Sequence, residues 1–212
     1  MIKGISKRDC LILLFSCLFF SALPAQNTPN ARQARRIFGE AYEQIYGPHG
    51  AEFNYAVNVI GIYKTSGTMW IKGEKHKFIE RQCSVWDDGR EFYRVNRKKR
   101  TVELYNAGSS KKDKLFSKFS FNPDDYDYHI SDSCSGYLIT LDARPGTRGI
   151  KHIKATIDKH TLVPKLLKIK VSFFWAKVTI YGFHKGNIDD HIFHFPRSEF
   201  YGYRYIDKRS ED

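Results

Sequence analysis

Three acidic doublets, Asp87-Asp88, Asp124-Asp125 and Asp189-Asp190, offer paired carboxylates of the kind that share acid and base work. Adjacent strand residues point to opposite faces, and all three doublets stand among turn-forming residues. They read as solvated turn acids. Ser131-Asp132-Ser133-Cys134-Ser135-Gly136 carries hydroxyls and a thiol, but not the G-x-S-x-G elbow that exposes a hydrolase serine. His184, His191 and His194 invite a metal. On an extended strand, His191 and His194 would face opposite ways and could not share one ion. The reading is a non-enzymatic chain with no catalytic set, no metal site and no cofactor.

Two further groups matter less for catalysis than for binding. Asn96-Arg97-Lys98-Lys99-Arg100 is a dense cationic loop that could meet phosphate, lipid or another polyanion; a plain solvated loop is the alternative. Beyond residue 25 the cysteines are Cys83 and Cys134. An even count permits one disulfide in an oxidising compartment, two separate thiols being the other reading. There is no C-x-x-C of the redox type.

The first 25 residues look like an export signal. Lys3, Lys7 and Arg8 precede an apolar run from Cys10 to Leu23, and Pro24-Ala25-Gln26 offers a cut after Ala25. The run is shorter than the roughly 20 residues of a membrane span. An uncleaved anchor, or lipidation at Cys17 within Leu14-Phe15-Ser16-Cys17, are the rival readings. The expected compartment is the periplasm. Formal charge is +12 for the whole sequence and about +10 without the signal. In an exported chain that charge speaks for anionic lipid, an acidic partner, glycan or simple solubility, not for nucleic acid.

The elements follow from periodicity. Asn30 to Ile45 reads as a helix, with Asn30 as N-cap and Ala34, Ile37, Phe38, Ala41, Tyr42 and Ile45 forming one apolar stripe. One amphipathic helix cannot hide its stripe alone, so it must lie on a sheet. Phe53, Tyr55, Val57 and Val59 then alternate with polar residues. A turn is expected at Lys64–Gly67, a strand from Met69 and another over Lys77–Ser84. A hairpin is expected at Asp87-Asp88-Gly89-Arg90. Glu91–Val95 and Thr101–Tyr105 continue the pattern, which fails over Ala107–Asp125. Later strands are expected at Tyr126–Ile130, Gly136–Asp142, His152–Asp158, Lys165–Phe174, Lys177–Phe183 and Asp190–Phe195. Roughly nine to eleven strands at this spacing make a barrel or a strongly curved sheet.

Three stretches resemble the LolA/LolB superfamily, the LolA-like outer-membrane lipoprotein carriers. The first is Gly67-Thr68-Met69-Trp70-Ile71-Lys72, with Lys77-Phe78 and Val85-Trp86-Asp87-Asp88-Gly89-Arg90-Glu91-Phe92-Tyr93. The second is Tyr137-Leu138-Ile139-Thr140-Leu141 leading to Ile150-Lys151-His152-Ile153. The third is Phe193-His194-Phe195-Pro196 with Ile206-Asp207 beyond.

The resemblance implies a mainly β (α+β) chain: an incomplete, strongly curved antiparallel β-barrel lidded by an N-terminal helix and a short mid-chain segment. It implies one domain over residues 26–206 with a polar tail at 207–212. It also implies a periplasmic carrier that moves the acyl chains of lipidated lipoproteins toward the outer membrane. Its partners would be an inner-membrane release machinery and an outer-membrane acceptor, and the chain would be a monomer. A non-enzymatic envelope binding module on the same fold, a stress sensor or a lipid or polyanion binder, is the alternative. Arg94 is a candidate for the polar residue in the family's cavity.

Strand alternation supplies the expected inward positions: Phe53, Tyr55, Val57, Trp70, Phe78, Phe92, Leu104, Leu138, Ile169, Val171, Phe173, Val178 and Ile180. Phe119, with Phe116 and Phe121, would close over the cargo from the mid-chain segment. The plain alternative is that all of these pack a solid core.

Overall fold

The computed structural model describes residues 28–59, 63–109, 121–171 and 173–211. Helix α1 (Pro29–Tyr46) begins at Thr28, whose hydroxyl accepts from the Ala31 amide at 3.1 Å. Thr28, not Asn30, is therefore the N-cap. The helix stops where the Gly47 amide closes on the Glu43 carbonyl. Its buried residues are Ala31, Ala34, Ile37, Ala41 and Ile45. Phe38 packs at their margin, edge-on to Phe121 and Tyr128. Tyr42 stacks on Tyr46 at the exposed rim.

Twelve strands form one sheet. They are β1 (Ala51–Val59), β2 (Tyr63–Lys72), β3 (Lys75–Glu80), β4 (Cys83–Asp87), β5 (Glu91–Asn96) and β6 (Thr101–Asn106). Then come β7 (Tyr126–Ser133), β8 (Gly136–Ala143), β9 (Ile150–Ile157), β10 (Pro164–Val171), β11 (Phe174–Lys185) and β12 (Arg204–Asp207). The order is β12-β6-β5-β4-β3-β2-β1-β11-β10-β9-β8-β7. Two antiparallel meanders, β1 to β6 and β7 to β11, are thus joined along β1 and β11. The sheet does not close: β7 and β12 are its edges. Open, curved and faced by a helix, it has the architecture that the sequence resemblance implies.

Several local expectations change. Lys64–Gly67 is not a turn but part of β2. Gly67 serves there as a residue without a side chain, because a Cβ would lie 2.3 Å from the Ile79 carbonyl oxygen. Lys77–Ser84 divides into β3 and β4. Asp190–Phe193 is a 3-10 turn rather than a strand. The last strand, β12, pairs parallel to β6, the one parallel pair among the described strands. The start of the expected tail is docked: Lys208 N–H donates to the Leu104 carbonyl, and Arg209 reaches Glu91 at 2.8 Å. Of the mid-chain lid, residues 110–120, with Phe116 and Phe119, lie outside the described residues.

Cys83 and Cys134 are not bridged to one another. Cys83 is half-buried on β4 and Cys134 is exposed in the β7–β8 turn, with β3, β2, β1, β11, β10 and β9 between those strands.

Candidate functional site

Register identifies the face toward α1. Phe53, Met69, Phe78 and Val85 lie directly abreast on β1 to β4. Val57, Val178, Leu167, Ala155, Ile139 and Ile130 form another row across six strands. Directly opposed antiparallel residues share a face, so these rows make one apolar surface from β4 to β7.

Two buried clusters lie on it. One joins Ala34, Ile37 and Ala41 to Tyr126, Tyr128, Ile139, Leu141 and Ile153. The other joins Ile45 to Phe53, Tyr55, Phe78, Phe92 and Ile180. Leu167 packs against both.

Helix α1 is pinned at its start by a reciprocal pair of hydrogen bonds. The Asn30 amide nitrogen donates to the Ile130 carbonyl at 2.8 Å, and the Ile130 N–H donates to the Asn30 side-chain oxygen at 3.0 Å. The side chain thereby occupies backbone groups of the β7 edge that a further strand would otherwise take. At the other end, Gln44 donates to the Thr161 carbonyl at 2.9 Å.

Polar groups on the same face are paired. The Arg94 guanidinium donates to Glu103 at 2.9 Å and to the Tyr105 hydroxyl at 3.0 Å. The Tyr55 hydroxyl donates to Glu80 at 2.6 Å, with Tyr63 on the other carboxylate oxygen at 3.2 Å. Burial, then the Glu80 contact, pushes the Tyr55 phenol far up. Burial likewise pushes Tyr128 up to about 12. Both phenols stay neutral donors at any physiological pH.

Eight of the expected inward residues lie on this face: Phe53, Tyr55, Val57, Phe78, Phe92, Ile169, Val178 and Ile180. Arg94 shares it, opposite Val85. Three do not. Trp70 is abreast of Lys77, Lys77 of Trp86, Trp86 of Tyr93 and Tyr93 of Leu104, all on the outer face. Leu138 is abreast of Thr156 and Leu166, also outside. Phe173 stands in the β10–β11 turn, 91% exposed. Val171 ends β10, its side chain outside the described residues, as is Phe119. Trp70 and Leu138 come from strands with apolar residues on both sides, where alternation carries no phase, whereas Leu104 alternates with Glu103 and its apolar side packs the outer core.

The outer face explains Leu104. Residues beyond β11 cross it and build a second core of Trp86, Tyr93, Val95, Val102, Leu104 and Phe200. Phe195 stacks on Tyr93 at 4.3 Å and on Phe200 at 5.1 Å. This core also engages the basic loop. The Arg97 guanidinium lies over Phe200 at 5.7 Å and that of Arg100 over Tyr203 at 5.3 Å. Two of the four cations that a polyanion would need are thus held against aromatic rings.

The acidic doublets do turn work. Asp88 accepts from the Arg90 and Glu91 amides, and Asp124 and Asp125 lie in a 3-10 turn. Asp189 caps the turn that follows it, and Asp190 bridges Lys72 and Lys75 at 2.8 Å each. Those lysines hold the Asp190 carboxyl down at about 2. His191 and His194 are not on a strand; their rings meet edge to face at 5.4 Å. Among the described residues, no three His, Cys, Asp or Glu side chains gather as a metal site. No described helix is long and apolar enough to cross a membrane. A groove of about 730 Å³ runs along the polar side of α1, between Arg32, Arg36, Glu43, Leu162 and Lys185. It lies away from the apolar face.

No protein-family model matches the sequence, and no curated protein matches it. Solved structures are similar in fold. An uncharacterized conserved protein from Thermus thermophilus superposes with a TM-score of 0.57 at 8% identity, over 82% of this chain and 99% of that one. A putative outer membrane lipoprotein-sorting protein domain from Vibrio parahaemolyticus gives 0.44 at 8% identity, over 81% and 99%. A LolA superfamily protein from Nitrosomonas europaea gives 0.40 at 8% identity, over 80% and 100%. At such identities the likeness concerns the fold alone.

Proposed function

We propose that the chain is a non-enzymatic carrier that holds acyl chains against the concave face of its sheet, beneath α1. One observation carries this reading: a continuous apolar face on an open sheet, covered by a single helix that buries only Ala31, Ala34, Ile37, Ala41 and Ile45. Ala31, Ala34 and Ala41 each contribute about one methyl group, worth about 0.8 kcal/mol. Ile37 and Ile45 add about 1.5–3 kcal/mol each, and an acyl chain returns about 0.8 kcal/mol for every methylene buried, so about ten methylenes match all five side chains. Cargo can then displace the helix without unfolding the sheet.

Arg94, Glu103 and Tyr105 offer a polar station on the same face for the head of the cargo. The cargo in this reading is the lipid part of a lipoprotein. Export through the N-terminal signal, loading from an inner-membrane machinery and delivery to an outer-membrane acceptor complete the proposal, with the sequence resemblance as their support.

Native mass spectrometry tests it. Protein stripped of lipid is mixed with lipidated and unlipidated forms of one lipoprotein. Retention of the lipidated form alone is expected. Equal and negligible binding of both ends the proposal.

A further inference from the structure

Three consecutive aromatic residues crown the β10–β11 hairpin. Phe173 is 91% exposed, Phe174 54% and Trp175 36%. Single exposed aromatics are ordinary, but three together at the tip of a hairpin form a patch that calls for a partner.

The strands below the tip supply the charge. Lys154, Lys168 and Lys177 lie directly abreast on β9, β10 and β11, all on the outer face and all exposed. At the usual strand spacing, three ammonium-bearing stems then stand within about 10 Å. The row continues through Asn58 to Lys64. Lys170, one pair nearer the tip, lies over the Trp175 ring at 5.9 Å. Like charges directly opposed across strands weaken a sheet. None of these five lysines is paired with a carboxylate among the described residues. The acid nearest along the strands, Asp142, is engaged by His152. The row is unfavourable for the protein alone and becomes favourable against a negative surface.

We propose that this hairpin docks the protein on a bilayer bearing anionic head groups, with Phe173 at the tip and Trp175 on the outer face entering the interface and the lysine row lying over the phosphates. Aromatic rings with a polar or cationic neighbour partition to that depth, and lysines near such a surface each add to the attraction. The docking face is the outer one, opposite the face assigned to acyl chains, and it does not depend on the cargo.

The test uses the full chain with vesicles of phosphatidylcholine, with or without phosphatidylglycerol. Because the Cys10–Leu23 run can itself partition into lipid, the readout must be local to the tip. Brominated lipid is expected to quench tryptophan fluorescence in the phosphatidylglycerol vesicles, and Trp175→Phe should remove that quenched component.

The triple change Lys154→Gln, Lys168→Gln, Lys177→Gln should weaken vesicle binding about 100-fold, at about fivefold per lysine. Phe173→Ser should reduce quenching while leaving thermal stability unchanged, since the side chain contacts little. Salt at about 1 M, where screening acts within about 3 Å, should release the protein. The proposal falls if phosphatidylcholine vesicles quench Trp175 equally, if the triple variant binds as the parent does, or if soluble polyphosphate is bound while no vesicle quenches Trp175.

Discussion

Replacing Asn30 separates two accounts of how α1 is held. If Asn30 were a capping residue, aspartate would serve as well, and its charge at the helix start would add about 0.3–1 kcal/mol. In the structure Asn30 is instead a clamp that both donates to and accepts from Ile130. Asn30→Asp keeps the acceptor but loses the donor, and turns a carboxylate oxygen toward a carbonyl that now lies 2.8 Å from the amide nitrogen. The lost bond costs about 1 kcal/mol, and the apposed acceptors cost about 1–3 kcal/mol more. Against the helix dipole, the net loss is about 1–4 kcal/mol.

Asn30→Ala loses both bonds but introduces no repulsion. Water can also reach Ile130 on an edge strand, so its cost stays near about 1 kcal/mol. The expected order of stability at neutral pH is asparagine, then alanine, then aspartate.

The aspartate penalty also depends on pH. The clamp favours the protonated form of the introduced carboxyl, so its folded pKa lies above the unfolded value of about 3.9. The penalty is full above the folded pKa and disappears as pH falls below the unfolded one. Urea denaturation of the three proteins, with exchange of the Ile130 amide, measures all of this. An aspartate variant as stable as the parent at neutral pH, with Ile130 still protected, would refute the clamp. Because the clamp anchors α1, both substitutions should also speed acyl uptake under the carrier proposal.

Asp190 ties its turn to the β2–β3 hairpin with a carboxyl lowered from 3.8 to about 2 by Lys72 and Lys75. Its contribution is complete above the unfolded pKa and is lost as pH falls toward 2, so Asp190→Asn should differ from the parent in neutral but not in strongly acidic denaturation curves. Gly67→Ala sets a Cβ 2.3 Å from the Ile79 oxygen, and β2 must part from β3. A loss of about 1–3 kcal/mol is expected by denaturation, and a smaller one would mean that the strands shift freely. Phe200→Ala should cost about 3–5 kcal/mol and free the segment crossing the outer face, read as faster amide exchange over β12. Unchanged exchange there would show that the parallel pairing holds without the aromatic core.

The sequence alone established a local pattern. A 3.6-residue stripe defined α1, and two-residue alternation defined most strands and the inward phase of Phe53, Tyr55, Val57, Ile169, Val178 and Ile180. Those residues have polar or small neighbours, so one face is marked. It did not settle Trp70 or Leu138, because their neighbours are apolar too, nor Leu104, whose apolar side is turned outward because distant chain covers that face. Nor could it show Asn30 reaching Ile130, or β12 returning parallel to β6. Lys154, Lys168 and Lys177 are scattered in the sequence and become a row only when three strands fix their register. Periodicity is a property of neighbouring residues, whereas register, cover and charge apposition arise between segments far apart, and only the folded sheet decides them.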